Sequence, residues 1–212
     1  MGLENREGGQ YITILDGKFC KRVTKDTEGA VERVNKMGNT VYEKFYDRFT
    51  GKLVDIIIQE GGAYGKNWVF VLSDGIDIYR LQLSYSNSFA TALLKMLPNI
   101  DLSKEFTMSP SVKVGDDGKK KSSLFVDQNG NHIKHAYTKE NPNGLPDMEQ
   151  IVIKGQMVWD DTKRLDFLEK MVKSDIIPKL DKQGGQCENQ ADSGFEALVA
   201  EVASQDEEDE PF

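Results

Sequence analysis

Three turn dipeptides constrain the fold of this chain more than any other feature of the sequence. Asp16-Gly17, Asp74-Gly75 and Asn129-Gly130 each lie between runs rich in β-branched and aromatic residues. Asp-Gly and Asn-Gly supply the positive φ angles that tight hairpin turns require. Each dipeptide therefore predicts a turn between two antiparallel strands.

Further strand patterns lie between and beyond these turns. Residues 39–49 alternate with period 2, and residues 52–59 follow after Thr50-Gly51, which predicts a hairpin at that point. Residues 106–114 and 122–138 also have strand character. The first 140 residues are therefore expected to be mainly β.

Two segments change to the helical period. In residues 86–100, Ser88 can cap a helix whose apolar stripe ends at Pro98, and residues 160–180 repeat the pattern with Pro178 near the end. One helix among many short strands is the order of an oligonucleotide-binding (OB) fold. We therefore predict an OB-like five-stranded barrel with extra strands and hairpins, one internal helix, a C-terminal helix and a disordered acidic tail. Other small barrels also carry one helix, so this order does not exclude them.

The charge divides the chain at about residue 180. Residues 1–180 hold 26 Lys and Arg against 25 Asp and Glu, which gives +1, whereas residues 181–212 hold one Lys and ten acids, which gives −9. The total of −8 therefore comes from the tail, and the near-neutral body remains compatible with nucleic acid. We expect an OB-like domain over 1–180 and a flexible linker with a partner-binding tail over 181–212. Within this tail, 195–202 alone has apolar residues at helical spacing.

The segment 41–49 carries the clearest binding pattern. Alternate residues of a strand share a face, so Tyr42, Lys44, Tyr46 and Arg48 lie on one side in strict aromatic–basic alternation. Tyrosine rings stack on bases, at about 1–3 kcal/mol per base, and the interleaved cations reach the phosphates beside them. The alternative is a solvated strand face in which Tyr is favoured by β-propensity and the cations by solubility.

Other segments repeat this mixture of aromatic and basic residues. Phe19 lies beside three cations in residues 18–22, and Trp68 follows two residues after Lys66, although Trp68 also fits a core position. The candidate residues for binding single-stranded DNA are Tyr42, Lys44, Tyr46, Arg48, Tyr64, Lys66, Trp68, Lys119, Lys120, Lys121, Phe125, Lys134 and Tyr137.

The sequence offers little for catalysis or for a cofactor. His132 and His135 are three residues apart in an expected strand, so they point to opposite faces, and no third histidine completes a zinc site. Cys20 and Cys187 lie far apart in dissimilar surroundings, which favours a reducing compartment over a disulfide framework. We therefore expect no catalytic residues, no metal and no cofactor.

The tail ends in an unusual pattern. Five consecutive acids precede Pro211-Phe212, and a terminal Phe ring offers an apolar group and an α-carboxylate at one point. This ending resembles that of single-stranded DNA-binding proteins of bacteria and, with this body, most closely those of tailed phages. The resemblance is specific for the last seven residues and architectural for the body. It implies that the partner-binding residues are Asp206, Glu207, Glu208, Asp209, Glu210, Pro211 and Phe212.

Together these features predict a non-enzymatic protein that binds and protects single-stranded DNA in phage replication, recombination or repair. The tip would recruit a polymerase, primase or helicase. No secretory h-region and no apolar run long enough to span a membrane occur in the sequence, so we expect a protein of the (host) cytoplasm without membrane partners. The alternatives are an interaction adaptor or chaperone with an acidic tail, or a metal-dependent nuclease. An RNA target is a variant of the main hypothesis.

Overall fold

The structure, a computed structural model, describes residues 10–180 except 36, 61–64, 117 and 154. As expected, the described chain is mainly β, with two α-helices. The predicted tail, 181–212, lies outside the described residues. The strands are β1 (Gln10–Leu15), β2 (Lys18–Arg22), β3 (Val31–Val34), β4 (Thr40–Tyr46), β5 (Phe49–Glu60), β6 (Lys66–Ser73), β7 (Ile78–Ser84), β8 (Phe106–Val114), β9 (Lys120–Gln128), β10 (Asn131–His132), β11 (Glu149–Ile153) and β12 (Gln156–Asp160).

Ten of these strands form one mixed sheet. Its order is β10-β9-β8-β5-β6-β7-β1-β2-β4-β3, and the last two strands, β11 and β12, form a separate hairpin. Strand β1 runs parallel to β7, and the other neighbours are antiparallel. The long β5 bridges the two halves, because its first three residues pair with β8 and the remainder, from Lys52 onward, pairs with β6, with an irregularity between Leu53 and Asp55.

Each helix follows a strand, β7 or β12, and is continued by turns that include a proline. Helix α1 (Ser88–Met96) is capped by the Asn87 side chain, which accepts hydrogen bonds from the backbone N–H groups of Phe89 and Ala90, so the cap lies one residue before the expected Ser88. A short 3₁₀ turn containing Pro98 follows. Helix α2 (Thr162–Met171) continues through a π turn and a 3₁₀ turn at Ile177–Lys179. Neither helix of the described chain is long and apolar enough to cross a membrane.

The main core lies on one face of the sheet, which we call the inner face. Both helices contribute to it, because Leu93 of α1 and Leu168 of α2 belong to the same apolar cluster as the inward side chains of β6 and β7. Roughly 1.5–3 kcal/mol accompanies the burial of each large side chain. The fully buried side chains include Trp68, Phe70, Leu72, Leu81, Leu83, Leu94, Met96, Phe106 and Met108.

The turn dipeptides confirm the hairpin predictions. Asp16 and Gly17 adopt φ angles of 46° and 74° between β1 and β2, and Asn129 and Gly130 adopt 52° and 76° between β9 and β10. The hairpin expected at Thr50-Gly51 is wrong. Gly51 lies within β5, where a Cβ atom would come 2.2 Å from the carbonyl oxygen of Ser73, so glycine there permits close strand approach.

The closed five-stranded barrel is also not what the strands form. The sheet is open, because its two edge strands, β10 and β3, do not pair with each other. It is nevertheless strongly curled. A Cβ atom on Gly17 would lie 2.5 Å from the backbone nitrogen of Val112, so the β1–β2 turn lies directly against β8.

Candidate nucleic-acid interface

A groove opens where the curled sheet fails to close. It encloses about 240 Å³ between β1 and β2 on one side and the start of β5 and β7 on the other. Its lining residues are Ile12, Phe19, Lys21, Tyr46, Arg48, Phe49, Thr50, Asp74 and Tyr79. Four aromatic rings and two cations therefore surround one cleft.

The sheet register explains how β2 and β4 supply one wall. Tyr46 lies opposite Phe19, and Lys44 lies opposite Lys21, so these four side chains share a face. The Lys44 ammonium is 5.9 Å from the centre of the Tyr46 ring. The aromatic–basic alternation predicted for β4 is therefore present, and the neighbouring strand extends it.

The opposite wall is a cluster of edge-to-face rings. The Phe49 ring centre lies 6.4 Å from that of Phe19 and 5.5 Å from that of Tyr79, and both pairs are T-shaped. Tyr79 reaches this position because β7 runs beside β1, where Gln10 is its partner. Phe19 is buried, whereas Tyr46 exposes about 40% of its surface at the rim. Tyr46 is therefore the ring that is most available to a ligand.

The carboxylate of Asp74 faces this groove, and hydrogen bonds stabilise its charged form. Asp74 accepts bonds from the backbone N–H groups of Ile76 and Asp77, at 2.9 Å and 2.8 Å, and from the hydroxyl of Tyr79 at 3.1 Å. The bond from Asp77 is the largest reason that the pKa of Asp74 is lowered. Burial first, and then Asp74, raise the pKa of Tyr79 to about 12, so this hydroxyl stays a donor.

Lys21 and Lys18, two cations of β2 near the groove, differ in their partners. Lys21 donates a hydrogen bond to the side-chain oxygen of Gln10, so its charge is not neutralised by that contact. Arg48 lies between β4 and β5, just before Phe49. Lys18, by contrast, forms an ion pair with Asp47 at 3.0 Å. Because Lys21, Arg48 and the nearby Lys44 flank the rings, the cleft can attract a ligand that is both anionic and aromatic.

Tyr42 lies on the same face of β4 but is not part of the groove lining. Its hydroxyl donates to Glu32 on β3 at 3.2 Å. The pKa of Tyr42 is raised, first by desolvation and then by Glu32. The sequence pattern therefore places Tyr42 on the correct strand face, further along the strand than the cleft.

Trp68 was predicted to bind DNA, but in the structure it is a core residue. It is completely buried, its ring stacks on Tyr85 with centres 5.2 Å apart, and its Nε1–H donates to the Tyr85 carbonyl at 3.1 Å. No face of this ring is exposed to a base. Lys66 lies near the same aromatic pair, 5.5 Å from the Tyr85 ring centre and 3.6 Å from Glu169 of α2, so it does not belong to the groove.

The remaining predicted residues lie on β9 or after it. Lys120 is exposed near the tip of the β8–β9 hairpin and lies 3.8 Å from Asp16 in the β1–β2 turn. Lys119 and Lys121 flank it in the chain. Phe125 is exposed on β9, where its ring centre is 5.8 Å from that of His132. This ring shares the outward face of the β8–β9 pair with Thr107, whose hydroxyl is hydrogen-bonded to the groove residue Thr50 at 2.8 Å.

Two further candidates follow β10, and one cannot be placed. Lys134 is exposed, and its carbonyl accepts a bond from Asn99 at 2.9 Å. Tyr137 is half-buried and packs edge-to-face on Phe167 of α2 at 5.6 Å, so it serves the core at least in part. Tyr64 lies outside the described residues.

The sequence interpretation omitted several groove residues. Phe19 and Lys21 lie in a segment with the aromatic–basic mixture, whereas strict alternation with Arg48 would put Phe49 on the opposite face, and Tyr79 is not part of an aromatic–basic alternation of this kind. Strict alternation fails after Tyr46, because the chain turns between β4 and β5 and brings both Arg48 and Phe49 to the cleft. In the part of the chain that the structure describes, no three His, Cys, Asp or Glu side chains are grouped as metal ligands.

Comparisons with protein-family models, with curated proteins and with solved structures found no match to this chain.

Proposed function

We propose that this protein binds single-stranded DNA in the groove between β2 and the start of β5. The observation that carries the proposal is the convergence of exposed and edge-packed aromatic rings with Lys21 and Arg48 in one cleft. Aromatic faces accept any base and cations accept any phosphate, so such a cleft favours an unpaired strand without strong sequence preference. In a duplex the base faces are already stacked on neighbouring base pairs, so a duplex would gain little binding energy from these aromatic rings.

In the proposed binding mode, the bases contact the aromatic side chains and the phosphates contact the cations. A base stacks on Tyr46, whose ring lies at the rim, while the T-shaped cluster of Phe49 and Tyr79 forms the apolar floor. Phosphates lie near Lys21, Lys44 and Arg48. Asp74 keeps its charge across the physiological range because its pKa is lowered, so it repels phosphates from the Tyr79 end of the groove.

We further propose that the strand continues from the groove across Thr50 and Thr107 towards Phe125. The hydrogen bond between the two threonines joins the groove to the outward face of β8 and β9, where the exposed Phe125 ring supplies another stacking platform. The cations at the β8–β9 tip, near Lys120, then provide phosphate contacts beyond the groove. This path would use most of the predicted residues that remain exposed.

The curled sheet supports an OB-like architecture for this function. OB folds bind strands across a partly open barrel, and here β8 is brought against the β1–β2 turn without a hydrogen-bonded seam. With the acidic ending at Asp206–Phe212, this arrangement supports membership of the phage-type single-stranded DNA-binding proteins. The protein would act in DNA replication, recombination or repair, without catalysis, in the host cytoplasm. Its tip would recruit a polymerase, primase or helicase.

Fluorescence anisotropy of a labelled oligo-dT strand tests the proposal. Tyr46→Ala is expected to weaken binding about 5- to 150-fold, the equivalent of one lost base stack at about 1–3 kcal/mol. Trp159→Ala is the matched control, because Trp159 has similar exposure, about 45%, but lies on the separate β11–β12 hairpin. This change should leave the affinity unaltered.

Three results would contradict the proposal. The full chain failing to bind oligo-dT at low salt would favour a protein-interaction adaptor. Equal affinities for wild type and Tyr46→Ala would place the site outside the groove. Cleavage of the labelled strand after addition of Mg²⁺ would favour the nuclease alternative.

A further inference from the structure

The face of the sheet opposite the helices is buried although neither helix lies on it. We call the row of side chains there the outer row; it consists of Thr13, Asn67, Val69, Val71, Arg80 and Gln82. Val69 and Val71 are each only 3% exposed, yet they belong to neither apolar cluster of the described residues. The polar members are also buried, with Gln82 at 6% and Arg80 at 8% exposure.

The outer row also carries polar atoms without hydrogen-bond partners. These buried atoms are Nε of Arg80, Oε1 of Gln82 and Oδ1 of Asn67. Burial of an unpaired polar group costs roughly 1–3 kcal/mol, so the unpaired Nε of Arg80 favours a cover that supplies an acceptor. The neighbouring Tyr11 hydroxyl accepts a hydrogen bond from Nη1 of Arg80, at 3.3 Å, and this bond does not involve Nε. The complementary surface is therefore apolar at its centre, with at least one acidic group.

We propose that residues 195–202 of the same chain, Phe-Glu-Ala-Leu-Val-Ala-Glu-Val, form an amphipathic helix that packs on the outer row. Phe195, Leu198, Val199 and Val202 fall on one helical stripe and match the valines of β6. Glu196 and Glu201 flank this stripe and supply acceptors for Arg80. The segment belongs to a tail of net charge −9, so its charge complements the arginine.

The length of the linker allows this docking. The chain between Leu180 and Phe195 contains 14 residues, which extend to roughly 50 Å at about 3.3 Å per residue. A domain of this size has a radius of gyration of only about 15 Å, so every part of its surface is within reach. Residues 1–9, the other end of the chain, contain only Met1 and Leu3 as large apolar residues and offer no comparable stripe.

The docked helix would separate two functions of the tail. Residues 195–202 would lie on the outer row, and only the last ten residues, with the acidic tip, would extend beyond it. The outer row and the groove are different surfaces, because groove residues such as Phe19 and Tyr79 belong to the inner-face cluster. The inference is therefore independent of the DNA-binding proposal, and either can fail alone.

Thiol labelling of the full chain tests the docking. Val71→Cys places a probe in the outer row with little change in volume, and Cys187→Ser removes the tail thiol. Burial raises the pKa of the remaining Cys20 to about 12, which keeps it unreactive. Leu198→Asp with Val199→Asp should accelerate labelling of the probe at least about tenfold, because it abolishes the apolar contact.

The matched control is Ala197→Asp with Ala200→Asp, which adds the same charge to the opposite side of the helix and should leave the labelling rate unchanged. Thermal melting of each variant verifies that the sheet remains folded. Rapid labelling of the probe beside an unaltered tail would overturn the proposal, as would equal rates for the two aspartate pairs. Acceleration by deletion of residues 1–9, or protection that depends on protein concentration, would instead assign the cover to the N-terminus or to a second copy.

Discussion

Arg33 of β3 binds the buried carboxylate of Glu43 on β4 with two parallel hydrogen bonds. Its Nε lies 2.9 Å from Oε2 and its Nη2 lies 2.8 Å from Oε1, while the Glu43 side chain has no exposed surface. Glu43 stands in the middle of the strand whose other face carries Tyr42, Lys44 and Tyr46. The ion pair therefore fixes the strand that presents the proposed stacking ring.

Removal of the arginine should destabilise the protein strongly. Arg33→Ala leaves Glu43 charged and buried without its main partner, which costs about 3–5 kcal/mol in comparable pairs. Urea denaturation measures the change. Lys163→Ala is the control, because its ion pair with Glu149 is exposed at both ends and should contribute less than about 1 kcal/mol. Equal stabilities for the two variants would show that the Glu43 pair is not structurally important.

The cations of the groove should produce a defined salt dependence. Contacts from Lys21, Lys44 and Arg48 predict a slope of log affinity against log salt of about −2 from these three residues, at about −0.7 per phosphate on a single strand. Arg48→Ala should reduce the magnitude of the measured slope by about 0.7. Lys170→Ala, an exposed cation on α2, should leave the slope unchanged. A slope that responds to both substitutions equally would indicate a diffuse charge effect.

Asp74→Asn should increase the affinity for oligo-dT. The substitution removes a negative charge from the groove wall, and the amide oxygen can still accept the backbone bonds from Ile76 and Asp77. The gain should be largest at low salt, where screening is weakest. Anisotropy titrations at two salt concentrations measure it. Unchanged or weaker binding in a folded variant would place the phosphates away from Asp74.

Asp101 should contribute an acid-sensitive part of the stability. Its pKa is lowered to about 2, first by the Ser103 hydroxyl at 2.6 Å and then by Lys104. Because the folded pKa lies below the unfolded one, the contribution is present above about pH 4 and is lost as the pH falls towards 2. Ser103→Ala should raise the pKa, as measured by carboxyl NMR, and flatten the stability curve in this range. An unaltered pKa would remove the hydroxyl as its cause.

The acidic tip should act on partners rather than on DNA. Deletion of residues 206–212 removes five carboxylates, so the affinity for single-stranded DNA should stay equal or rise. Phe212→Ala should abolish binding to the cognate polymerase, primase or helicase while leaving DNA affinity unchanged. Pull-down with each purified protein measures the first effect and anisotropy the second. Loss of DNA binding on truncation would make the tip part of the DNA site.

Local geometry was predictable from the sequence where one residue determines it. Asp16-Gly17 and Asn129-Gly130 specify their turns because both positions require positive φ. Gly51 has the same composition signal, but its role depends on the approach of Ser73 from another strand. A dipeptide contains no information about that approach, so the hairpin prediction there failed.

The site was predictable only along a single strand. Period-2 alternation on β4 found Tyr46 and Lys44, whereas Tyr79 enters the groove through the pairing of β7 with β1. Trp68 is the converse case, because it was predicted as a site residue and is buried in the core. Alternation separates two faces of a strand without saying which one is inner, and here the face with Trp68 received the helices.

The parallel pairing of β1 with β7 also has a consequence for the order in which the protein can form on the ribosome. Tyr11 and Arg80 are neighbours in the sheet although 69 residues separate them. Closing a loop of that length costs about 4 kcal/mol of chain entropy, and β1 must wait unpaired on that side until β7 has emerged. Because Lys21 of β2 and Tyr79 of β7 line the same groove from either side of β1, the groove cannot form before this pairing. The proposed DNA-binding groove would therefore be absent from a nascent chain until more than a third of the protein has been synthesised.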